Sequence, residues 1–486
     1  MKVANKDKKK QWCWLTIIAL LVIVVFLGNQ AKADVTPGYK KLKYPPLAPI
    51  TIPSYERYQL DNGMVVYLME DHSLPLISGT VLLKMGSIFD PPSQVGLAEL
   101  TGELLRLGGT VHYSPEQLNA ILEQKAASIE TSVTRTSASI SFSSLSYDID
   151  TVLPIFAEIL QSPRFDSQQL ELLKTQVRGT ISRRNDYPGD IARREFAKLI
   201  YGQDSPYARV IEYVHLDNIQ REDIQRFYRQ YVRPEAMILG MVGDFDSAKM
   251  KQLIQRLFAS WHTDSTMTPD YTISEPQQAT TEGVFIVNRP QLTQSHIILG
   301  HIGVKLGDAN YPVLSVINGV LNGFGGRLFK EIRSRQGLAY SVFGSWQANY
   351  DYPGVFIAGG QTKSETTTQF IRSIIEEIQR LCNSPITDTE LDYAKDSILN
   401  SFVFQFQHPS QTLSRLMTYE YYGYPQDFIF QYQQGVKNTS REDVLRVAQK
   451  YFQPDKIVTL IVGNENAIKA DLITLGKNIQ EINITN

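Results

Sequence analysis

Apolar and polar residues recur along this chain with two periods, and the switches between them divide it into elements. Met64 to Leu68 is a β-rich run behind the turn sequence Asp61-Asn62-Gly63, so Arg57 to Glu70 predicts a hairpin. Ile77 to Lys84 predicts another strand, and the alternating, Ser/Thr-rich stretch Ala126 to Ser144 predicts two more. Between them, Gly96 to Gly108 changes period. Leu97, Leu100, Leu104 and Leu107 fall at i, i+3, i+7 and i+10, which predicts a helix with one buried stripe. Amphipathic helices are predicted over Thr151 to Gln161, Ser167 to Ser182 and Asp190 to Tyr201, the last ended by Gly202.

The other face of the Gly96 to Gly108 helix carries Glu99, Glu103 and Arg106. Glu99 and Glu103 are four apart, so their side chains are neighbours and repel unless something offsets them. One reading is a solvated face, with Arg106 compensating Glu103. The other is a chemical site, or the remains of one.

A repeat organises the rest. Arg221 to Asp244, REDIQRFYRQYVRPEAMILGMVGD, aligns without gaps with Arg441 to Asn464, REDVLRVAQKYFQPDKIVTLIVGN, at an offset of 220. Tyr187-Pro188 with Tyr201-Gly202 matches His408-Pro409 with Tyr422-Gly423 at an offset of 221. Two separate segments with nearly one offset identify a tandem duplication. Each copy runs a helix up to a Tyr-x-x-Pro turn and then a strand, Met237 to Val242 or Ile457 to Val462. The expected fold is α+β: two homologous tandem domains, each a mainly antiparallel sheet flanked by helices, facing each other as a clam-shell. The expected boundaries are 55–262 and 284–486, joined by a polar seam at 263–283.

Composition narrows the function. The 486 residues exceed one core. A net charge of −2, with no basic cluster beyond the N-terminus, argues against nucleic acid. Residues 1–33 read as a signal peptide or a retained anchor: lysines from Lys2 to Lys10, an apolar run from Trp12 to Leu27, then Ala31-Lys32-Ala33. A Pro-rich linker, 34–54, follows. The expectation is an exported protein, periplasmic or equivalent, touching membrane only through an uncleaved N-terminus. Cys13 lies in the apolar run, so Cys382 would be the one cysteine of a mature chain, with no internal disulfide and no zinc site on cysteine pairs. The histidines include no His-x-x-x-His pair, and His72 reads as a loop residue.

At this point the residues suggest a family. Asp61-Asn62-Gly63, Met85-Gly86-Ser87, Gly96-Leu97-Ala98 and Gly108 resemble the N-terminal half of the pitrilysin/insulinase zinc metallopeptidases, which include mitochondrial processing peptidase and its bacterial relatives. Gly326-Arg327-Leu328-Phe329-Lys330-Glu331-Ile332-Arg333, followed by Gly337-Leu338-Ala339-Tyr340-Ser341-Val342, resembles that family's C-terminal motif. The resemblance runs from about Pro53 to the end.

What the resemblance implies is partly negative. The family's inverted motif, His-x-x-Glu-His, supplies two zinc ligands and a base, and a distant glutamate supplies the third ligand. Here Glu99 and Glu103 stand for the histidines, Gly102 for the base and Thr180 for the distant ligand. Two carboxylates and a hydroxyl suit zinc poorly, and glycine can take no proton. No metal and no catalytic residue is therefore expected on this chain. The family's arginine and tyrosine, which reach the substrate's backbone carbonyls, are matched by Arg333 and Tyr340. The alternative is that Arg333 decorates a helix end and Tyr340 is a packed strand aromatic. The implied function is an exported, non-catalytic subunit of a heterodimeric zinc peptidase, binding peptide for a homologous partner that carries the zinc. The alternative is a structural or peptide-binding protein that kept the fold without a role in proteolysis.

Overall fold

A computed structural model describes residues 50–263 and 269–484. The expected signal peptide, most of the Pro-rich linker and residues 264–268 of the seam lie outside the described residues. Among the described residues, no helix is long and apolar enough to cross a membrane.

Two six-stranded sheets form, one from each repeat. The first comprises β1 (Glu56–Gln59), β2 (Val65–Glu70), β3 (Leu76–Leu83), β4 (Ser128–Val133), β5 (Ala138–Leu145) and β6 (Met237–Gly243). Their spatial order is β1-β2-β6-β3-β5-β4. The second comprises β7 (Gly283–Asn288), β8 (Gln294–Ile302), β9 (Ala339–Gln347), β10 (Val355–Lys363), β11 (Val458–Gly463) and β12 (Ile479–Glu481), in the order β12-β7-β11-β8-β10-β9. Pairing is mostly antiparallel; β2 with β6, β11 with β7 and β12 with β7 run parallel. Each sheet turns one face to helices. The helices used below are α1 (Leu97–Leu107), α2 (Ser167–Arg183), α3 (Pro188–Tyr201), α4 (Arg221–Tyr231), α5 (Tyr311–Leu321), α6 (Thr367–Asn383), α7 (Pro409–Tyr422) and α8 (Arg441–Tyr451). Helices α1 and α4 share one core with the inward residues of β3 and β5. Helices α5, α6 and α8 share another with β8, β10 and β11.

Strands β6 and β11 are buried along their whole length. A strand with both faces buried needs cover on both, and the second cover comes from the opposite half. Helix α3, from the first repeat, lays Ile191, Ala192, Phe196 and Ile200 on Phe285, Val287, Ile298, Val458, Leu460 and Val462. Helix α7, from the second, lays Leu413, Leu416 and Met417 on Tyr67, Met69, Ile238 and Val242. The exchanged helices are the pair that the 221-residue offset picks out. Each opens with proline at its first position, where the missing N–H costs no hydrogen bond, and each closes on a glycine with positive φ (Gly202 at 90°, Gly423 at 74°). The approach of α7 to β6 is close: a methyl on Gly240 would stand 2.2 Å from the Met417 sulfur. Polar contacts tie the same seam. Arg57 Nε donates to Glu420 on α7 at 3.0 Å, and the Tyr67 hydroxyl donates to the same carboxylate. These hydrogen bonds, Arg57 foremost, hold the Glu420 carboxyl below its usual range. Tyr201 donates to the Pro353 carbonyl at 3.0 Å, and Arg135 donates to the Tyr352 hydroxyl at 2.8 Å.

Candidate functional site

Helix α1 buries Leu97, Ala98, Leu100, Thr101, Gly102, Leu104 and Leu105. Leu105 therefore replaces the half-exposed Leu107 in the expected stripe. The helix has no side-chain N-cap of its own, since Gly96 sits at φ 102°. Asp90 does that work from the preceding loop, accepting from Gly96 N–H and Ala98 N–H at 2.8 Å each. Arg209 pins this loop through the carbonyls of Ser87, Ile88 and Asp90. Burial pushes the Asp90 carboxyl up to about 7, against the pull of those N–H groups and of Arg209.

Glu99 is an exposed residue crowded by surrounding protein, and partial loss of hydration raises its carboxyl above the usual range. Glu103 is raised by burial and then by the charges of Glu99 and Glu130. Arg106 does not compensate Glu103, as one reading expected. Its guanidinium turns away, to the Ile129 carbonyl on β4 at 3.1 Å and to Asn119 Oδ1 on the helix Pro115–Gln124 at 2.8 Å, two acceptors held in place by their elements. Thr180 lies on α2, exposed, with its hydroxyl donating back to the Gln176 carbonyl at 3.3 Å.

The residues present do not fit a zinc ion. Among the described residues, no three His, Cys, Asp or Glu side chains are arranged to hold a metal. The base position is also physically filled. A methyl on Gly102 would stand 2.5 Å from Cγ2 of Val133, the last residue of β4. The space that a glutamate at 102 would need is thus taken by a neighbouring side chain.

The second half presents the opposite picture. Gly326 and Gly337 bracket the π-helical turn Phe329–Arg335, which Ile332 anchors in the core. The turn's start is fixed by Arg327, which donates to both oxygens of Glu390 at 2.7 and 3.1 Å. Against the upward pull of burial, Arg327 and the Thr387 cap hold Glu390 down to about 2. Glu331 is taken up by Arg335, with Nε at 2.7 Å. The Arg333 guanidinium is sandwiched instead between two rings, 4.6 Å from the centroid of Phe329 and 4.5 Å from that of Tyr340. Stacking occupies the faces of the guanidinium and leaves its edge N–H groups free to point outward. Tyr340 is 83 % exposed, so it is not a packed strand aromatic. Phe324, 80 % exposed in the loop Gly323-Phe324-Gly325-Gly326, meets Phe329 edge-on at 5.0 Å.

The structure therefore joins Arg333 to Tyr340 and keeps Glu99, Gly102 and Glu103 together on α1, with α2 and its Thr180 packed alongside. The two groups belong to separate cores. Sequence reasoning missed Phe329, Phe324 and the Asp90 clasp. An exposed aromatic inside a glycine-rich loop was the available signal for Phe324.

Comparison with known proteins bears on both halves. A family model described as insulinase (peptidase family M16) matches residues 65–208, and one described as the peptidase M16 inactive domain matches residues 218–398. A Helicobacter pylori protein named "Non-peptidase homolog YmxG" is 23 % identical over 457 residues, 92 % of this chain and 98 % of that one. A Bacillus subtilis protein named "Uncharacterized zinc protease YmxG" is 22 % identical over 362 residues, 74 % of this chain and 86 % of that one. The crystal structure of a peptidase M16 inactive domain from Pseudomonas fluorescens superposes with a TM-score of 0.76 at 22 % identity, covering 85 % of this chain and 98 % of that one. That likeness is one of fold.

Proposed function

The chain belongs to the pitrilysin/insulinase (M16) peptidase family, as a degenerate, non-catalytic member without the inverted zinc motif, and from that premise we propose that it is the non-catalytic subunit of a heterodimeric zinc peptidase. It works outside the cytoplasm, and its N-terminal Lys-rich and apolar segment would direct its export. The observation that carries this reading is the half-buried, ring-stacked Arg333 beside the exposed Tyr340. The Arg333 edge donates to backbone carbonyls of an extended peptide, and the Tyr340 hydroxyl donates to the carbonyl oxygen as charge develops on it. The metal and the water it activates would come from the partner, since Gly102 offers no group to take a proton where the family's glutamate base stands.

The purified chain should hydrolyse no peptide and should contain no stoichiometric zinc. Mixed with a zinc-bearing homologue, it should raise that partner's turnover. Arg333→Ala and Tyr340→Phe should each remove most of the gain, on the order of tenfold to a hundredfold, as for a lost transition-state donor. Full stimulation by both variants would sink the proposal. The closure of the Gly102 site by Val133 fits equally a second reading, a structural or peptide-binding protein without a role in proteolysis. Co-purification distinguishes them: a zinc-motif homologue bound to the chain supports the first, and its absence supports the second.

A further inference from the structure

The duplication leaves two clefts, one at the start of each exchanged helix. At α7, His408, Pro409 and Ser410 meet Asp71, Ser78 and Val242 around about 170 Å³. At α3, Gly189, Ala192 and Arg193 meet β8, β9 and β10 around about 370 Å³. The two are related by the repeat. Ser78 pairs with Val242 across the first sheet, and His296 pairs with Val462 across the second. Val242 and Val462 hold the same place in the repeat, so His296 stands where Ser78 stands. The second copy of the cleft is about twice the size of the first and carries an imidazole where the first has the Ser78 hydroxyl.

The larger cleft gathers donors. Gln361 Nε2 lies 3.1 Å from His296 Nε2; with the amide donating, the ring proton sits on Nδ1. Nδ1 faces Gly189. A methyl on Gly189 would stand 3.9 Å from His296 Nδ1 and 4.0 Å from an Arg193 guanidinium nitrogen, with nothing nearer. The space above Gly189 is therefore open and bounded by an imidazole N–H and by the Arg193 guanidinium, one of whose nitrogens is ion-paired with Asp190 while the other faces this space. Among the described residues that line this cleft there is no carboxylate, whereas the smaller one has Asp71. Ile298, Ile357 and Phe343 make an apolar wall behind the donors.

We propose that this cleft binds the C-terminal carboxylate of a peptide, seated between His296 and Arg193, with the preceding apolar side chains on Phe343, Ile298 and Ile357. The site is complete in one chain and needs no partner subunit, so it stands or falls separately from the peptidase role. Calorimetric titration of the full chain tests it with N-acetyl-Ala-Ala-Leu as the free acid, the same peptide as its C-terminal amide, and acetate as the small-anion arm. The acid should bind about tenfold more tightly than the amide, and far more tightly than acetate. His296→Ser, which copies the equivalent position, and the exposed Arg193→Gln should each remove most of that preference, with unchanged melting temperatures certifying the fold. Equal binding of acid and amide, no binding of either, acetate matching the peptide, or a preference untouched by both substitutions would each overturn the proposal.

Discussion

The two halves of this molecule share an architecture and have treated their chemistry in opposite ways. In the first half, the helix that would carry a metal has been absorbed into packing. Gly102 is buried against Val133, Arg106 is committed to the edge of β4, and Glu99 and Glu103 remain as crowded carboxylates with raised affinities for protons. In the second half, Ile332 is buried while Arg333, half-buried, stacks on a Tyr340 that is open to solvent. A site is lost when neighbours grow into its space. It is kept when a buried anchor holds functional side chains away from any competing partner.

The comparison breaks first, and most visibly, at the exchanged helices, because each half is finished by the other. Phe196→Ala on α3 and Leu416→Ala on α7 should each cost about 2–5 kcal/mol, since both side chains are buried in the opposite half's sheet. Thermal or urea unfolding should remain one transition in both variants. Two separated transitions would show that the halves are independent. Next in size is the contrast in display: Phe329→Leu should leave stability nearly unchanged yet weaken Arg333→Ala-sensitive stimulation of a zinc partner several-fold, because the guanidinium loses one of its two stacking rings. Stimulation equal to wild type would mean that stacking does not position Arg333.

A smaller effect sharpens the reading of the closed site. Gly102→Ala should destabilise by about 1–2 kcal/mol, although alanine is the better helix former, because the added methyl overlaps Val133. Val133→Ala in the same chain should recover most of that loss, which melting of the four proteins in the cycle would measure. Restoring the motif with Glu99→His, Gly102→Glu and Glu103→His should leave zinc unbound unless Thr180→Glu supplies the third ligand and Val133 is also reduced.

The smallest effect is electrostatic. The Glu99 and Glu103 carboxyls are raised in the folded chain, so the native state holds their protons more tightly than the unfolded state does. Their contribution to stability is present below the ordinary carboxylate range and is lost as pH rises through their raised folded values. Glu103→Gln should therefore gain stability relative to wild type as pH rises from about 4.5 to 7, by less than about 1 kcal/mol because the side chain is partly solvated. Urea midpoints of the two proteins across that range provide the check, and parallel curves would contradict the assignment.

Much of this was legible in the sequence. Periodicity placed β2, β3, β5, α1, α2 and α3 within a few residues, because a half-buried strand or helix writes its period locally. The gapless repeat revealed the duplication, and its second, shorter match marked the two helices that prove to be exchanged. The candidate positions Glu99, Gly102, Glu103, Thr180, Arg333 and Tyr340 follow from the motif spacings alone. The surroundings were not legible. Arg106 is three residues from Glu103 and looked like its partner, yet the better-fixed acceptors belonged to Asn119 and to the Ile129 backbone.

The sequence by itself determined the main strands and helices of the first half, the doubling and the loss of the inverted zinc motif, since each is a property of residue types at fixed spacings along the chain. Only the tertiary structure decided which half each helix would serve, what would occupy the space at Gly102, and what would hold Arg333. Each depends on an approach between residues distant in sequence, as when Met417 comes down on Gly240 or Val133 on Gly102. Such approaches are set by how whole faces fit once the sheets have formed, and no local pattern records them.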